Sequence, residues 1–193
     1  MKRIARLGII LAFLPLTAGV NSAYAQTADT SAEISAAASK LTPIDYNFVA
    51  QANLGAPFQV DSGRIAEGKA RSPEIRDYAH LMVTSHIPVV DALNTILQRK
   101  GLTAPPNMLL QGAYNAMVSS LKAEPRAALD RDYVDGQVEY QKGNAALFQY
   151  EIQYGTDADL KEFARATLPK IEDHLQRALK LARSEKPGKT ASQ

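Results

Sequence analysis

Apolar residues recur every three or four positions in four long stretches of the chain, which is the spacing of one face of an α-helix. The repeat is regular in the second and fourth stretches and weaker in the first and third. None of the stretches shows the strict alternation of apolar and polar residues that is typical of a half-buried strand. The pattern therefore predicts an all-α fold in which each helix buries one apolar stripe.

Capping signals place the ends of these helices. The predicted helices span residues 42–70, 72–100, 125–154 and 156–183. Thr42 and Ser72 are each followed by proline, and Gly101 follows a basic last turn, which are typical of helix starts and of a helix end. The joints between the first and second helices and between the third and fourth helices are very short. The sequence therefore predicts two antiparallel hairpins that form a four-helix bundle.

A long connection, residues 101–124, joins the two predicted hairpins. It contains Pro105 and Pro106 and a short apolar piece from Tyr114 to Leu121. A connection of this length can cross the bundle from one end to the other, as in ferritin-like topology, or fold back as a short cap. The sequence leaves both paths open.

The first 25 residues have the layout of a secretory signal peptide. Three basic residues precede an apolar run, and Ala23 and Ala25 form a small-x-small cleavage site. We expect cleavage after Ala25 and a periplasmic location, with no transmembrane segment in the mature chain. The remaining divisions are a flexible leader over 26–41, the bundle domain over 42–183 and a disordered tail over 184–193.

Composition narrows the classes of function. The chain has 22 basic and 20 acidic residues, and three of the basic ones, Lys2, Arg3 and Arg6, lie in the predicted signal peptide. The mature chain is therefore almost neutral, which argues against a nucleic-acid partner. The sequence contains no cysteine. Thiol chemistry, cysteine-ligated zinc and iron–sulfur clusters are therefore excluded.

One polar residue falls on the apolar stripe of each predicted helix. These residues are Gln59, His86, Gln141 and His174. A buried polar group without a partner costs about 1–3 kcal/mol, so we expect the four side chains to meet one another or water. Three interpretations remain open: a structural polar layer, a transition-metal site at His86 and His174, and a pocket for a small ligand.

Ligand chemistry favours the structural interpretation, because two imidazoles and two amides supply no negative charge. No Glu-x-x-His motif precedes either histidine, since Val83 and Ile171 occupy those positions. We therefore expect no cofactor, with a transition metal as the alternative. We also expect the isolated glycines Gly136 and Gly143 to permit close helix packing.

Three stretches of the sequence resemble a family of secreted bacterial proteins, domain of unknown function 4142. They are FVAQANLGAPFQVDSGRIA, IRDYAHLMVTSH and the long segment from RDYVDGQVEYQ to LPKIEDHL, and the resemblance covers about residues 43–182. It implies a ferritin-like four-helix bundle and an outer-membrane or other envelope association. The family pattern places an acidic residue on the first helix and a histidine on each of the others. His86 and His174 match that pattern, whereas glutamine replaces the family residue at 59 and 141.

These observations predict an exported periplasmic helical-bundle protein that is not an enzyme and acts in binding or in envelope stress. The alternative is a metal-binding or metal-dependent redox protein that uses the inward-facing histidines His86 and His174.

Overall fold

The computed structural model describes residues 40–185, which form five α-helices: α1 Pro43–Lys69, α2 Pro73–Arg99, α3 Met108–Ala123, α4 Arg126–Tyr154 and α5 Ala158–Ser184. The all-α prediction is confirmed, but the predicted number of four helices is wrong for this part of the chain. The predicted signal peptide lies outside the described residues, as do residues 26–39 of the predicted leader and 186–193 of the predicted tail.

The four long helices end within about two residues of the predicted bounds, and a side chain caps the start of α1, α2 and α5 but not that of α4. The Thr42 hydroxyl accepts a hydrogen bond from the Asp45 amide, and the Ser72 hydroxyl accepts one from the Ile75 amide. The Asp157 carboxylate accepts two bonds from amides in the first turn of α5. Gly101 adopts a φ of 60° just beyond α2, a conformation that glycine adopts without strain. Local chemistry therefore sets these helix ends.

The long helices pair as two hairpins, α1 with α2 and α4 with α5, and α1 also packs on α4 while α2 packs on α5. A carboxylate joins the hairpins at each end. Asp45, near the start of α1, accepts hydrogen bonds from the amides of Thr156 and Asp157 between α4 and α5. Asp130, near the start of α4, accepts them from the amides of Arg71 and Ser72 between α1 and α2. The start of α1 therefore lies beside the end of α4.

The fifth helix, α3, lies within the connection that the sequence left open. It packs along α1, where the rings of Tyr114 and Phe58 stack with their centroids 4.4 Å apart. At its C-terminus, the Lys69 ammonium donates to the carbonyls of Leu121, Lys122 and Glu124 at 2.6–3.0 Å. Since Lys69 ends α1, the connection runs the length of the bundle rather than folding back as a cap.

Two apolar clusters fill the interior, one towards each end of the bundle. The first surrounds Phe48, Phe148 and Phe163, and the second surrounds Ile75 and Leu129. Between them, the middle turns of the long helices place polar side chains inside. Among residues 40–185, no helix has both the length and the apolar content that crossing a bilayer requires.

Close helix approach occurs at glycines other than those expected. A Cβ atom on Gly63 would lie 2.9 Å from the Ala79 carbonyl oxygen, and one on Gly55 would overlap the Tyr140 hydroxyl. By contrast, a Cβ on Gly136 or Gly143 would meet no atom within 4 Å. The expectation that Gly136 and Gly143 permit close helix packing is therefore wrong, because both face open space.

Candidate functional site

The polar layer, defined as Gln59, His86, Gln141 and His174, lies between the two apolar clusters. Each of these residues is at most 4% exposed. A Cβ on Gly63 would lie 3.4 Å from Met82 Cβ across the antiparallel α1–α2 pair, so Gln59 and His86, one turn away in each helix, lie at the same level. All four helices of the two hairpins thus contribute a polar side chain to the interior.

The two histidines form a pair across α2 and α5. Their ring centroids are 5.2 Å apart, with an angle of 38° between the ring planes. His86 Nδ1 lies 2.9 Å from the Met82 carbonyl oxygen, which can only accept, so Nδ1 carries the proton and Nε2 keeps its lone pair. His174 Nδ1 has no partner among the described residues.

Both imidazoles are neutral at pH 7. Burial lowers the pKa of His86 to about 4, against a partly compensating bond to the Met82 carbonyl. Burial also lowers the pKa of His174 to about 4, with a further contribution from the neighbouring His86. Since the folded state binds fewer protons than the unfolded chain between pH 4 and 6.5, these two groups make stability rise with pH in that interval.

The two glutamines of the layer have different surroundings. Gln141 Nε2 donates to Gln137 Oε1 at 3.4 Å and approaches the Met82 sulfur at 3.5 Å. The Gln59 side chain, in contrast, has no partner for either its nitrogen or its oxygen among the described residues. No hydrogen bond within residues 40–185 links either glutamine to a histidine, and several donors and acceptors of the layer have no partner there.

Two more polar side chains continue the layer towards the start of α4, and the sequence analysis missed both. Gln137 Oε1 accepts from the Tyr78 hydroxyl at 3.4 Å as well as from Gln141. The buried Tyr133 hydroxyl has no partner within residues 40–185, and burial raises the pKa of this hydroxyl well above its usual value. Gln137 lies four residues before Gln141, so the spacing that revealed Gln141 also marks Gln137.

The residues present fit a transition metal only in part. His86 and His174 offer two neutral nitrogens, and a carbonyl that orients one imidazole is the usual support for a ligating histidine. Across residues 40–185, no group of three or more histidine, aspartate or glutamate side chains converges. Since no carboxylate joins the two histidines in that part of the chain, an ion held by their neutral nitrogens would have an uncharged protein ligand set.

A second buried titratable site, also absent from the sequence prediction, lies at the end of α4. Glu151 is 0% exposed, and neither of its carboxyl oxygens has a partner in the described part of the chain. Burial, and then the nearby Asp45 carboxylate, raise the pKa of Glu151 to about 8. Burial alone would raise the pKa of Asp45, but hydrogen bonds from Thr42, Thr156 and Asp157 lower it below its ordinary value.

A family model described as Domain of unknown function (DUF4142) matches residues 30–181. Among solved structures, the chain is similar to the crystal structure of a DUF305 fragment from Deinococcus radiodurans, with a TM-score of 0.65 and 15% identity. The similarity covers 74% of this chain and 98% of that chain. At this identity it shows a shared fold alone. The comparison with curated proteins found no match.

Proposed function

The chain belongs to the family described as Domain of unknown function (DUF4142), and on this premise we propose that it is an exported periplasmic helical-bundle protein with a binding role and no catalytic one. One observation supports binding above all: the polar layer separates the two apolar clusters, and several of its buried donors and acceptors have no partner among residues 40–185. Such groups destabilise the fold unless water or a ligand satisfies them.

The chemistry of the layer argues against acid–base catalysis. A general base works best when its pKa lies near the working pH, whereas both histidines have a pKa of about 4. His86 Nδ1 is bound to a carbonyl and a serine hydroxyl, and none of its hydrogen bonds within residues 40–185 is to a carboxylate. The pair therefore suits neutral hydrogen bonding better than proton transfer.

The path of the chain supports a ferritin-like arrangement as part of the same proposal. Two antiparallel hairpins lie side by side, and the connection between them runs the length of the bundle through α3. In ferritin-like bundles, facing side chains of the long helices build an internal site at mid-height. The polar layer occupies the corresponding depth here.

Export is tested by following the N-terminus. When the full chain with a C-terminal tag is produced in a Gram-negative host, we expect the osmotic-shock fraction to contain protein that begins at Gln26. The Ala25→Arg variant, which removes the small residue before the cut, should stay unprocessed. Wild-type protein that retains Met1 and remains in the cytoplasm would contradict the proposed location.

A transition-metal role is the second candidate, and the tautomer of His86 favours it. Because the Met82 carbonyl holds the proton on Nδ1, Nε2 presents a lone pair within a site where His174 is 5.2 Å away, ring to ring. Neutral imidazole is a ligand for zinc and copper. A bound ion would polarise whatever completes its coordination, and the two histidines would hold it between α2 and α5.

Metal titration separates the two candidates. If the pair holds an ion, purified mature protein should bind one equivalent of Zn²⁺ or Cu²⁺ by calorimetry, and His86→Ala and His174→Ala should each abolish binding. His80→Ala is the matched control, since His80 lies on the surface of α2 and pairs with Glu67. Wild-type protein that binds neither ion, or variants that bind as well as wild type, would refute the metal role and leave the structural layer.

A further inference from the structure

A crevice of about 180 Å³ opens between α3 and α4, outside the histidine pair. Phe58 of α1 with Met117 and Leu121 of α3 form an apolar part of its wall, and Ser120, Glu124 and Asp132 also line it. Gln137 and Tyr133 of α4 form its floor, and each is 2% exposed. The crevice therefore runs from the surface to the edge of the polar layer.

A glycine keeps this crevice open. Gly136 lines it, is half-buried, and has no atom within 4 Å of where a Cβ would stand. Glycine inside a helix costs about 1 kcal/mol relative to alanine. At Gly55 and Gly63 close contacts between helices require it, but no contact requires glycine at 136. The space beside Gly136 is thus a feature of the crevice rather than of helix packing.

The floor of the crevice carries polar groups whose hydrogen-bonding potential is not fully used within the described residues. Gln137 Oε1 accepts from Tyr78 and Gln141 inside the bundle, and its Nε2 donates to no group among residues 40–185. The Tyr133 hydroxyl is buried without a partner in the same part of the chain. The Gln137 amide can therefore donate to an oxygen that enters between α3 and α4, whereas the Tyr133 hydroxyl oxygen is closed off from the crevice.

The two carboxylates that line the crevice, Glu124 and Asp132, lie nearer to solvent than the floor. No lysine, arginine or histidine lines the crevice, the nearby Lys69 binds the carbonyls at the end of α3, and Arg131 lies 3.8 Å from Asp132. A negatively charged ligand would meet both carboxylates and find no free cation on the floor. The crevice therefore selects against anions.

We propose that the crevice between α3 and α4 binds a small neutral aromatic compound that bears one hydrogen-bond-acceptor oxygen, with the ring between Phe58 and Met117 and the oxygen on the Gln137 amide. Phe58 and the Met117 thioether make favourable contacts with an aromatic ring. A dry cavity of about 150 Å³ accepts benzene, so the volume suits one ring with a short substituent. This proposal rests on the proposed binding role and gives it a site and a ligand class.

Three probes of nearly equal shape test the ligand class. Acetophenone carries the acceptor oxygen, ethylbenzene replaces the carbonyl with a methylene, and benzoate replaces the acetyl group with a negatively charged carboxylate. Methionine-methyl NMR of the mature protein provides the readout, because Met117 lines the crevice, whereas Met82 is buried in the core and Met108 is exposed at the start of α3. We expect acetophenone to shift the Met117 signal and no other methionine signal, and to bind with a dissociation constant at least fivefold lower than that of ethylbenzene. Benzoate should leave the Met117 signal unchanged.

Two glycine substitutions on the same helix test the site. Gly136→Leu should fill the crevice and weaken acetophenone binding at least tenfold, whereas Gly143→Leu, equally unobstructed but outside the lining, should bind within twofold of wild type. Gly136→Ala is a smaller change that should also weaken acetophenone binding, by less than Gly136→Leu, and it provides the test if the leucine variant does not fold.

The outcomes are decisive in both directions. A Met117 signal that acetophenone does not move, equal binding of all three probes, or equal losses in Gly136→Leu and Gly143→Leu would each overturn the proposal. Such a failure would leave export and metal binding untouched, because those have separate readouts.

Discussion

Glu151 shows how one residue can make stability depend on pH. It is fully buried at the end of α4, beside the Asp45 carboxylate, and a Cβ on Gly155 would overlap its carboxyl group. Burial and Asp45 raise its pKa to about 8, so at neutral pH the folded protein holds a proton there that the unfolded chain has released. This end of the bundle therefore keeps one neutral acid beside one charged carboxylate.

The first prediction concerns Glu151→Gln. Between pH 4.5 and 8 the folded state binds the extra proton, so the wild-type free energy of unfolding falls as pH rises through this interval. Glutamine mimics the protonated acid and removes that dependence. Urea denaturation should show the variant close to wild type at pH 5 and more stable by up to about 4 kcal/mol at pH 8.5.

Glu139→Gln is the control for this prediction, because Glu139 is exposed on the same helix. Its free energy of unfolding should differ from that of wild type by the same small amount at both pH values. An equal difference at pH 5 and pH 8.5 for Glu151→Gln would show that the carboxyl group is ionised in the folded protein.

At the scale of elements, α3 is the least firmly held helix of the described residues. None of its side chains is fully buried, and Met108 and Leu109 at its start are 78% and 87% exposed. Its position depends on the stacking of Tyr114 on Phe58 and on the Lys69 ammonium at its end. Helices with few buried contacts open locally at low cost, so α3 should open before the two hairpins do.

The second prediction therefore concerns Lys69→Met. The methionine keeps the aliphatic length but leaves the last carbonyls of α3 without the ammonium, a loss of about 1 kcal/mol. Hydrogen-exchange mass spectrometry should show about fivefold faster exchange in the peptide 108–124, with the peptides of α5 unchanged. Lys122→Met removes an exposed lysine from the same turn and should leave the exchange of that peptide as in wild type; if it does not, general surface charge rather than capping holds α3.

The sequence predicted the long helices because their ends carry their own chemistry. Thr42, Ser72 and Asp157 cap the helices that follow them through hydrogen bonds within three residues, which the order of residues alone reveals. The helix α3 has a weaker signal, since its apolar residues rest against α1 without full burial. The burial of Gln59 and Gln141 followed from spacing, but the path of the connection and the crevice beneath α3 depend on contacts between residues far apart in the chain.

The whole molecule has an approximate internal two-fold relation between its hairpins. Asp130 lies as many residues after Asp45 as the loop that Asp45 binds, Thr156 and Asp157, lies after the loop that Asp130 binds, Arg71 and Ser72. The same separation along the chain further relates Arg76, which donates to the Ala70 carbonyl, to Lys161, which donates to the Gly155 carbonyl. Few residues are identical under this shift, so the sequence alone gives little sign of the relation.

The third prediction tests whether the two carboxylates that join the hairpins, Asp45 and Asp130, stabilise the fold independently at pH 6. We call these two carboxylates, with the loop amides that they bind, the clamps. Each helix of the hairpins is about 40 Å long at 1.5 Å per residue, so Asp45 and Asp130 act at opposite ends. Asp45→Ala and Asp130→Ala each leave loop amides without an acceptor and should each cost about 2 kcal/mol of unfolding free energy. The double variant should lose the sum to within about 0.5 kcal/mol in urea denaturation. A coupling above about 1 kcal/mol would mean that the ends communicate through the core.

The paired clamps also bear on the ancestry of the protein. Fusion of two copies of a gene for one helical hairpin, each copy first paired with another in a symmetric dimer, would leave this arrangement of matching ends. The mid-height residues do not obey the relation: the shift sets Gln59 against Asn144 and His174 against Val89. In such a history, the carboxylate–loop contacts at the two ends were kept in both halves. The interior residues at mid-height diverged between the halves, so natural selection could act on an asymmetric interior.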